Sequence, residues 1–201
     1  MTVLHLVRHG ETVWHAENRY AGVSDVALTL RGVEQAESLG RWAATAGLDA
    51  VYASTLSRAI ETAGPAASAT GLQLVTDADL REVDFGLGEG LTRAEMAKRF
   101  PDELASFLSR PAESPLPNGE RGTAAIERSR SALDRIVAAC PDGRVLVVMH
   151  STLVRLLICS LAGIDPNAYR RLFPQIGNCA LNTVRVNDDV TSILGVNVPV
   201  D

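Results

Sequence analysis

Two histidines that directly follow apolar runs are the residues of this sequence best suited to phosphoryl chemistry. His9 comes after Arg8 at the end of one run, and His150 comes after Met149 at the end of another. In an α/β sheet, ligand sites open at the carboxyl ends of the strands, so we expect both side chains at one rim. A neutral imidazole can attack phosphorus, and the planar fork of an arginine can bind phosphate oxygens.

Further polar residues follow the other predicted strands and complete the same chemistry. Ser54 and Arg58 come after the second strand, and Glu82 comes after the third. During phosphoryl transfer, negative charge spreads over three equatorial oxygens, which cationic groups would stabilise. A protonated His150 would be one such cationic group. Because the arginines lower its pKa, a nearby carboxylate is needed to offset their charge. Glu82 could protonate the leaving alkoxide and then deprotonate water, while His9 carries the phosphoryl group.

A metal site is the main alternative interpretation of these histidines. His9, His15 and His150 could bind a metal ion together with nearby acids. However, the positive charge of Arg8 beside His9 would repel a cation. We therefore expect neither a metal nor a cofactor.

Hydrophobic periodicity and turn residues define the elements that must position these side chains. Strands are predicted over 2–7, 49–53, 73–76 and 144–149, followed by a hairpin of 180–186 and 191–196 around Asn187, Asp188 and Asp189. Helices are predicted over about 29–46, 56–69, 92–99, 123–139 and 152–162.

Strands that alternate with helices predict a mostly parallel sheet covered on both faces, which is a three-layer α/β/α sandwich. We expect a single domain over residues 1–201. Glycines and prolines make the segment at about 81–118 irregular, so it is predicted to be an insertion or lid over the site. Residues 93–121 are expected to line the leaving-group side.

Composition narrows the class of protein. The 201 residues are 46% hydrophobic and 21% charged, which is typical of a folded globular protein. A net charge of −5 does not favour nucleic acid or a membrane surface as a partner. No apolar run is long enough to span a membrane, and neither a signal peptide nor a cysteine framework is evident, which favours a cytoplasmic protein. The expected partner is a small phosphorylated metabolite, and the sequence leaves homo-oligomerisation open.

Several motifs occur in the order typical of one family. They are Arg8-His9-Gly10-Glu11-Thr12 with Trp14, the run 54–63, Leu80-Arg81-Glu82, Phe85-Gly86, Glu89-Gly90 and Val147-Val148-Met149-His150. With them, the chain resembles the histidine phosphatase superfamily, the phosphoglycerate mutase-like proteins. The resemblance implies a three-layer α/β/α fold and a phosphohistidine on His9. It also implies a phosphate pocket of Arg8, Arg58 and His150, with proton transfer by Glu82.

Four positions depart from the pattern of similar family members. His15 stands where an asparagine commonly helps to bind phosphate, and Ala21 precedes Gly22 where a glutamine or hydroxyl residue is common. Ser151 replaces a glycine, and Arg121 replaces a serine. We keep His15, Gly22 and Ser151 as candidate phosphate-binding residues. Near its unperturbed pKa of about 6.5, a protonated His15 would add charge, so phosphate affinity should fall as pH rises through that region.

The resemblance does not determine which reaction the protein catalyses. The chain is short for a cofactor-dependent mutase, and its segment 85–90 resembles the phosphatase branch, so hydrolysis of a phosphomonoester is the favoured function. Phosphoglycerate mutase is the alternative. A catalytically silent member that binds a phosphorylated ligand is a second alternative, against which the presence of all the central groups argues. The physiological substrate is not predicted.

Overall fold

A single six-stranded sheet forms the centre of the protein in the computed structural model, which describes residues 1–187 and 190–200. The spatial order is β3-β2-β4-β1-β5-β6, with β1 to β4 parallel and β5 and β6 antiparallel. The strands are β1 (Thr2–Arg8), β2 (Ala50–Ser54), β3 (Leu74–Asp77), β4 (Arg144–Met149), β5 (Leu181–Val186) and β6 (Thr191–Val198).

Helices cover both faces of this sheet. One apolar cluster joins α1 and α2 to the sheet through Leu39, Ala63, Leu146 and Val148, and another joins α5 and α6 to residues that include Val147 on the opposite face. The three-layer prediction is therefore confirmed. The helices are α1 (Leu30–Ala46), α2 (Ser57–Thr70), α3 (Arg93–Arg99), α4 (Pro101–Ser109), α5 (Gly122–Ala139), α6 (Ser151–Leu161) and α7 (Tyr169–Leu172).

The pairing of β1 with β4 fixes the position of the site. Both strands are apolar and almost completely buried, as expected for parallel strands with helices on either side. Their parallel register pairs Arg8 with Met149, and the His9 backbone N–H donates to the Met149 carbonyl at 3.0 Å. The residue after each strand, His9 or His150, therefore emerges at the same level.

Two short helices were not predicted. Pro101 occupies the first turn of α4, so α3 ends at Arg99 and a new helix begins after Phe100. The helix α7 follows a short 3₁₀ turn over Pro166–Ala168. The segment 81–118 is thus partly helical, and its action as a lid stays a prediction.

The predicted C-terminal hairpin is confirmed as an antiparallel pair of β5 and β6, in which Asn187 N–H donates to the Val190 carbonyl at 2.9 Å. Asp188 and Asp189 of the predicted turn lie outside the described residues. Among the helices that the structure describes, none combines the length and apolarity needed to cross a membrane.

Candidate active site

His9 and His150 lie together at the carboxyl ends of β1 and β4, with 5.1 Å between their ring centroids. His9 is only 5% exposed, and its Nδ1 lies 2.7 Å from the Gly10 carbonyl oxygen. A carbonyl can only accept, so Nδ1 carries the proton and Nε2 keeps its lone pair. Burial, followed by the charges of Arg58 and Arg8, holds the pKa of His9 well below its usual value. The imidazole is therefore neutral at pH 7, the form that can act as a nucleophile.

Arg58, in the first turn of α2, places its Nε–H 3.2 Å from the His9 Nε2. The side chain is completely buried, and its other donors contact backbone carbonyls of Ser24 and Gly22, both at 2.7 Å, and of Ala21 at 3.3 Å. The guanidinium thus contacts the imidazole through its Nε–H, while its terminal amino groups bind the loop at 21–24.

Gly22 belongs to that loop and is not among the residues that line the cavity, so its role in binding phosphate stays a prediction. Its backbone N–H donates to the Glu89 carboxylate at 2.9 Å, and the Ser24 hydroxyl donates to the same carboxylate at 2.6 Å. A Cβ at Gly22 would lie only 2.2 Å from a Glu89 oxygen and 2.3 Å from the Val83 carbonyl oxygen. The glycine is required because this carboxylate approaches so closely.

Glu82 lies at the N-terminus of α6, where unpaired backbone N–H groups attract a carboxylate. Its oxygens accept from the backbone N–H groups of Thr152 at 2.8 Å and Leu153 at 2.9 Å, and from that of Val83 at 3.0 Å. The side chain is buried but still reaches the cavity. The three hydrogen bonds hold the carboxylate in one orientation at the edge of the cavity.

His150 has no exposed surface, and its Nε2 lies 2.6 Å from the Ser54 hydroxyl. Its Nδ1 has no hydrogen-bond partner among the described residues. Burial, Arg58 and His9 hold the pKa of His150 well below its usual value. No carboxylate among the described residues bonds to it, so the expectation of a protonated His150 offset by a nearby acid is wrong for this state.

A cavity of about 490 Å³ opens above these residues, a size that suits a small metabolite. The predicted residues Arg8, His9, His15, Glu82 and Ser151 line it. We call Arg8, His9, Arg58, Glu82 and His150 the floor of the cavity, since Arg58 and His150 lie directly beneath its lining.

His15 contacts Arg8 rather than standing free as a titrating cation. Its Nε2 accepts from a terminal amino group of Arg8, and its Nδ1 lies 2.8 Å from the Thr12 hydroxyl. Burial and the charge of Arg8 lower the pKa of His15 to about 4. The expected loss of phosphate affinity through pH 6.5 by deprotonation of His15 is therefore wrong, because the imidazole is already neutral there.

Comparison with known proteins identifies the architecture around this site. The family model of the histidine phosphatase superfamily (branch 1) matches residues 4–199. The chain belongs to this family. A curated relative is the "Probable phosphoglycerate mutase GpmB" of Erwinia tasmaniensis, 33% identical over 184 residues that cover 92% of this chain and 85% of the relative.

Solved structures of similar proteins share nearly the whole fold of this chain. Bacillus stearothermophilus YhfR is 28% identical, with a TM-score of 0.92 and 98% of both chains covered. The alpha-ribazole phosphatase of Shigella flexneri is 25% identical, with a TM-score of 0.86 and 99% of both chains covered. A mycobacterial glucosyl-3-phosphoglycerate phosphatase, also 25% identical, has a TM-score of 0.88 over 98% of this chain and 99% of the other.

The metal alternative has no counterpart in the part of the chain that the structure describes. Across residues 1–187 and 190–200, no group of three or more histidine, cysteine, aspartate or glutamate side chains is arranged to hold a metal ion. His15 instead contacts the cationic Arg8, and His150 contacts the Ser54 hydroxyl.

The sequence did not predict all of the residues that line the cavity. Of the segment 93–121, only Arg93 lines it, whereas Arg155 and Arg170 contribute from α6 and α7. Arg155 follows Ser151 by four residues, a helical spacing that places both on one face and could have revealed it. Arg170 had no comparable signal, because α7 itself was not predicted.

Proposed function

We propose that this histidine phosphatase hydrolyses phosphomonoesters of small metabolites through a phosphohistidine on His9. The neutral imidazole of His9 carries this proposal, since its Nδ1 is occupied by the Gly10 carbonyl and its Nε2 lone pair is available at the cavity floor. In the first step, Nε2 attacks phosphorus and the bond from phosphorus to the ester oxygen breaks. The departing electron pair goes to that oxygen, which takes a proton from Glu82.

The second step returns the site to its starting state. The Glu82 carboxylate takes a proton from water, and the water oxygen attacks phosphorus as the phosphorus–nitrogen bond breaks. Inorganic phosphate leaves, and His9 recovers its lone pair. Side chains of the floor supply both the nucleophile and the group that transfers protons, so the proposed reaction needs no metal ion.

Arg8, Arg58 and His150 stabilise the charge on the transferring phosphoryl group in this proposal. Arg58 already donates towards the His9 Nε2, which is where the phosphoryl group would be attached. A bound phosphate dianion would favour protonation of His150, whose free Nδ1 could then donate to it. Ser151 contributes from the cavity lining, and His15 orients Arg8.

Phosphoglycerate mutase is the second candidate, because curated relatives at 33% identity carry that name. A mutase must keep water from the phosphohistidine while an intermediate rebinds. Two solved relatives, the alpha-ribazole phosphatase and the glucosyl-3-phosphoglycerate phosphatase, are named as phosphatases, which favours hydrolysis. Conversion of 3-phosphoglycerate to 2-phosphoglycerate, measured with and without 2,3-bisphosphoglycerate, separates the two activities.

The deciding experiment is release of p-nitrophenol from p-nitrophenyl phosphate by the parent protein and by His9→Ala. Removal of the nucleophile should lower kcat by about a thousandfold or more. His5→Asn is the matched control, because His5 lies on the same strand but contacts the Thr183 hydroxyl and packs against Trp42. We expect it to retain most of the activity. Equal, background rates for the parent and His9→Ala would overturn the proposal and support a silent ligand-binding member.

A further inference from the structure

Two arginines on one side of the cavity are held by an aromatic ring between them. The Tyr169 ring is completely buried, with the Arg155 guanidinium 4.7 Å and the Arg170 guanidinium 5.0 Å from its centroid. Arg170 also lies 4.8 Å from the centroid of Phe107. We call Arg155, Tyr169 and Arg170 the outer wall. Stacking on ring faces fixes the guanidinium planes while leaving their N–H edges available.

Neither arginine of the outer wall has an acidic partner among the described residues. Arg155 donates to the carbonyls of Ser151 at 3.0 Å and Phe173 at 3.5 Å. The Nε of Arg170 is buried without a hydrogen-bond partner in the part of the chain that the structure describes. By contrast, Arg19 at the same cavity pairs with Glu95 at 2.9 Å. A buried donor without a partner is costly and calls for an acceptor.

Other polar atoms without partners gather around the same cavity. Beside the Arg170 Nε, they are the Arg8 Nε, the His150 Nδ1 and the Tyr169 hydroxyl. Apart from the Tyr169 hydroxyl, which can also accept, these are donors or become donors on protonation. The cavity therefore offers more donors than its own acceptors use.

The charges around the cavity exceed what one phosphate can offset. A phosphomonoester brings roughly two negative charges at neutral pH, and Glu82, which is the acid of the first step, adds at most one. The nearby carboxylates of Glu89 and Asp25 offset the charge of Arg58 beneath the cavity. The arginines that line the cavity and lack an acidic partner among the described residues are Arg8, Arg93, Arg155 and Arg170. Positive charge therefore remains after the reacting phosphate is bound, and it is concentrated at the outer wall.

We propose that Arg155 and Arg170 form a second anion subsite, so that preferred substrates are phosphomonoesters whose alcohol part carries a further acidic group. That group is a carboxylate or a second phosphate. The inference rests on the proposed function, which places the reacting phosphate at His9. Arg155 lies one helical turn beyond Ser151, about 6 Å along the axis of α6, so a short carbon chain joins the two acidic groups.

Matched substrates test this subsite. For the carboxylate, phosphate release from 3-phosphoglycerate is compared with that from glycerol 3-phosphate, which carries a hydroxymethyl group instead. For the second phosphate, fructose 1,6-bisphosphate is compared with fructose 6-phosphate. We expect the parent to prefer the acidic member of at least one pair by about tenfold or more in kcat/KM, since a charge-assisted hydrogen bond is lost with the neutral one.

Arg170→Met and Arg155→Met should each remove most of that preference, while methionine preserves packing against the rings. The control is Arg171→Met, because Arg171 is the exposed neighbour that does not line the cavity, and it should retain the preference of the parent. A parent without preference in either pair would overturn the subsite. Preference unchanged in both Arg155→Met and Arg170→Met would do the same.

The p-nitrophenyl phosphate assay with His9→Ala distinguishes failure of the proposed function from failure of the second anion subsite. If the parent shows no His9-dependent hydrolysis, calorimetric titration still decides the inference. Tighter binding of 3-phosphoglycerate than of glycerol 3-phosphate, or of the bisphosphate than of the monophosphate, supports the subsite when Arg170→Met abolishes the difference. Equal binding within both pairs overturns it.

Discussion

His9, Arg58 and Glu82 on the floor of the cavity are held by hydrogen bonds, mostly to backbone groups, whereas Arg170 on the outer wall is held mainly by aromatic rings. The Glu82 carboxylate accepts from three backbone N–H groups, and Arg58 donates to three backbone carbonyls. Arg170 has stacking contacts to Tyr169 and Phe107 instead.

From this difference we expect the floor to govern the reaction and the outer wall to govern recognition of the substrate. Several directional hydrogen bonds fix reacting atoms to within a few tenths of an ångström, and catalysis is sensitive to such placement. Stacking restrains the guanidinium plane but lets it slide across the ring. Substitutions in the floor should therefore lower kcat, whereas substitutions in the outer wall should change the selection of substrates.

Of the substitutions that test this comparison, Glu82→Gln has the largest expected effect on kcat. We expect kcat for alkyl phosphates to fall by about a hundred- to ten-thousandfold, because the amide can neither protonate the alkoxide nor deprotonate water. With p-nitrophenyl phosphate, whose leaving group needs no proton, the first step survives and hydrolysis of the phosphohistidine becomes limiting.

Rapid-mixing kinetics check that result as an initial burst of p-nitrophenol followed by a slow steady state. Thermal unfolding of the same variant shows whether the lost carboxylate contacts have unfolded the site. A folded Glu82→Gln protein with parental steady-state turnover would remove Glu82 from the mechanism.

Glu89→Gln tests whether placement of the floor depends on a group outside it. The Glu89 carboxylate holds the backbone of Gly22 and Ser24, and those residues accept from Arg58 beside His9. We expect kcat to fall by about ten- to a hundredfold with little change in KM, because a displaced Arg58 misplaces the reacting group.

Asp49→Asn provides the control for Glu89→Gln. Asp49 also accepts a backbone N–H, from Arg144 at 2.7 Å, but it lies at the opposite end of the sheet. Its replacement should cost some stability without changing kcat. Similar kinetics for both variants would show that Glu89 acts only on stability.

His15→Asn should have the smallest effect. Because the pKa of His15 is lowered to about 4, the imidazole gains a proton only as pH falls through that value, and it stays neutral at higher pH. The ratio of KM for the variant to KM for the parent should therefore stay constant within about twofold from about pH 6 to 8. Steady-state kinetics across this range would contradict the assignment if the ratio changed around pH 6.5.

The floor could be predicted because each of its residues ends or follows a strand whose apolar pattern is visible in the sequence. Position after a strand is enough to place Arg8, His9, Glu82 and His150 at one rim. It cannot show that Arg58 faces the loop at 21–24, since that depends on a tertiary contact. Protonation of His15 and His150 was likewise misjudged, because burial has no sequence signature at polar positions.

Gly22 and the outer wall show a different limit. The conformation at Gly22 is set by Glu89, a residue distant in sequence, so its motif position alone did not reveal this packing role. Arg170 reaches the cavity only because α7 packs Tyr169 between two arginines. Neither arrangement follows from local periodicity or spacing.

The central position of β1 has a consequence for how the protein folds. Thr2–Arg8 pairs on one side with Arg144–Met149 and on the other with Leu181–Val186, so its neighbours come from far along the chain. Such non-local pairings raise the contact order, which slows folding. His9, the proposed nucleophile, therefore gains its surroundings only when distant segments have docked. We expect recovery of catalysis to coincide with the last cooperative phase of refolding, and a fragment that ends before Leu181 to lack it.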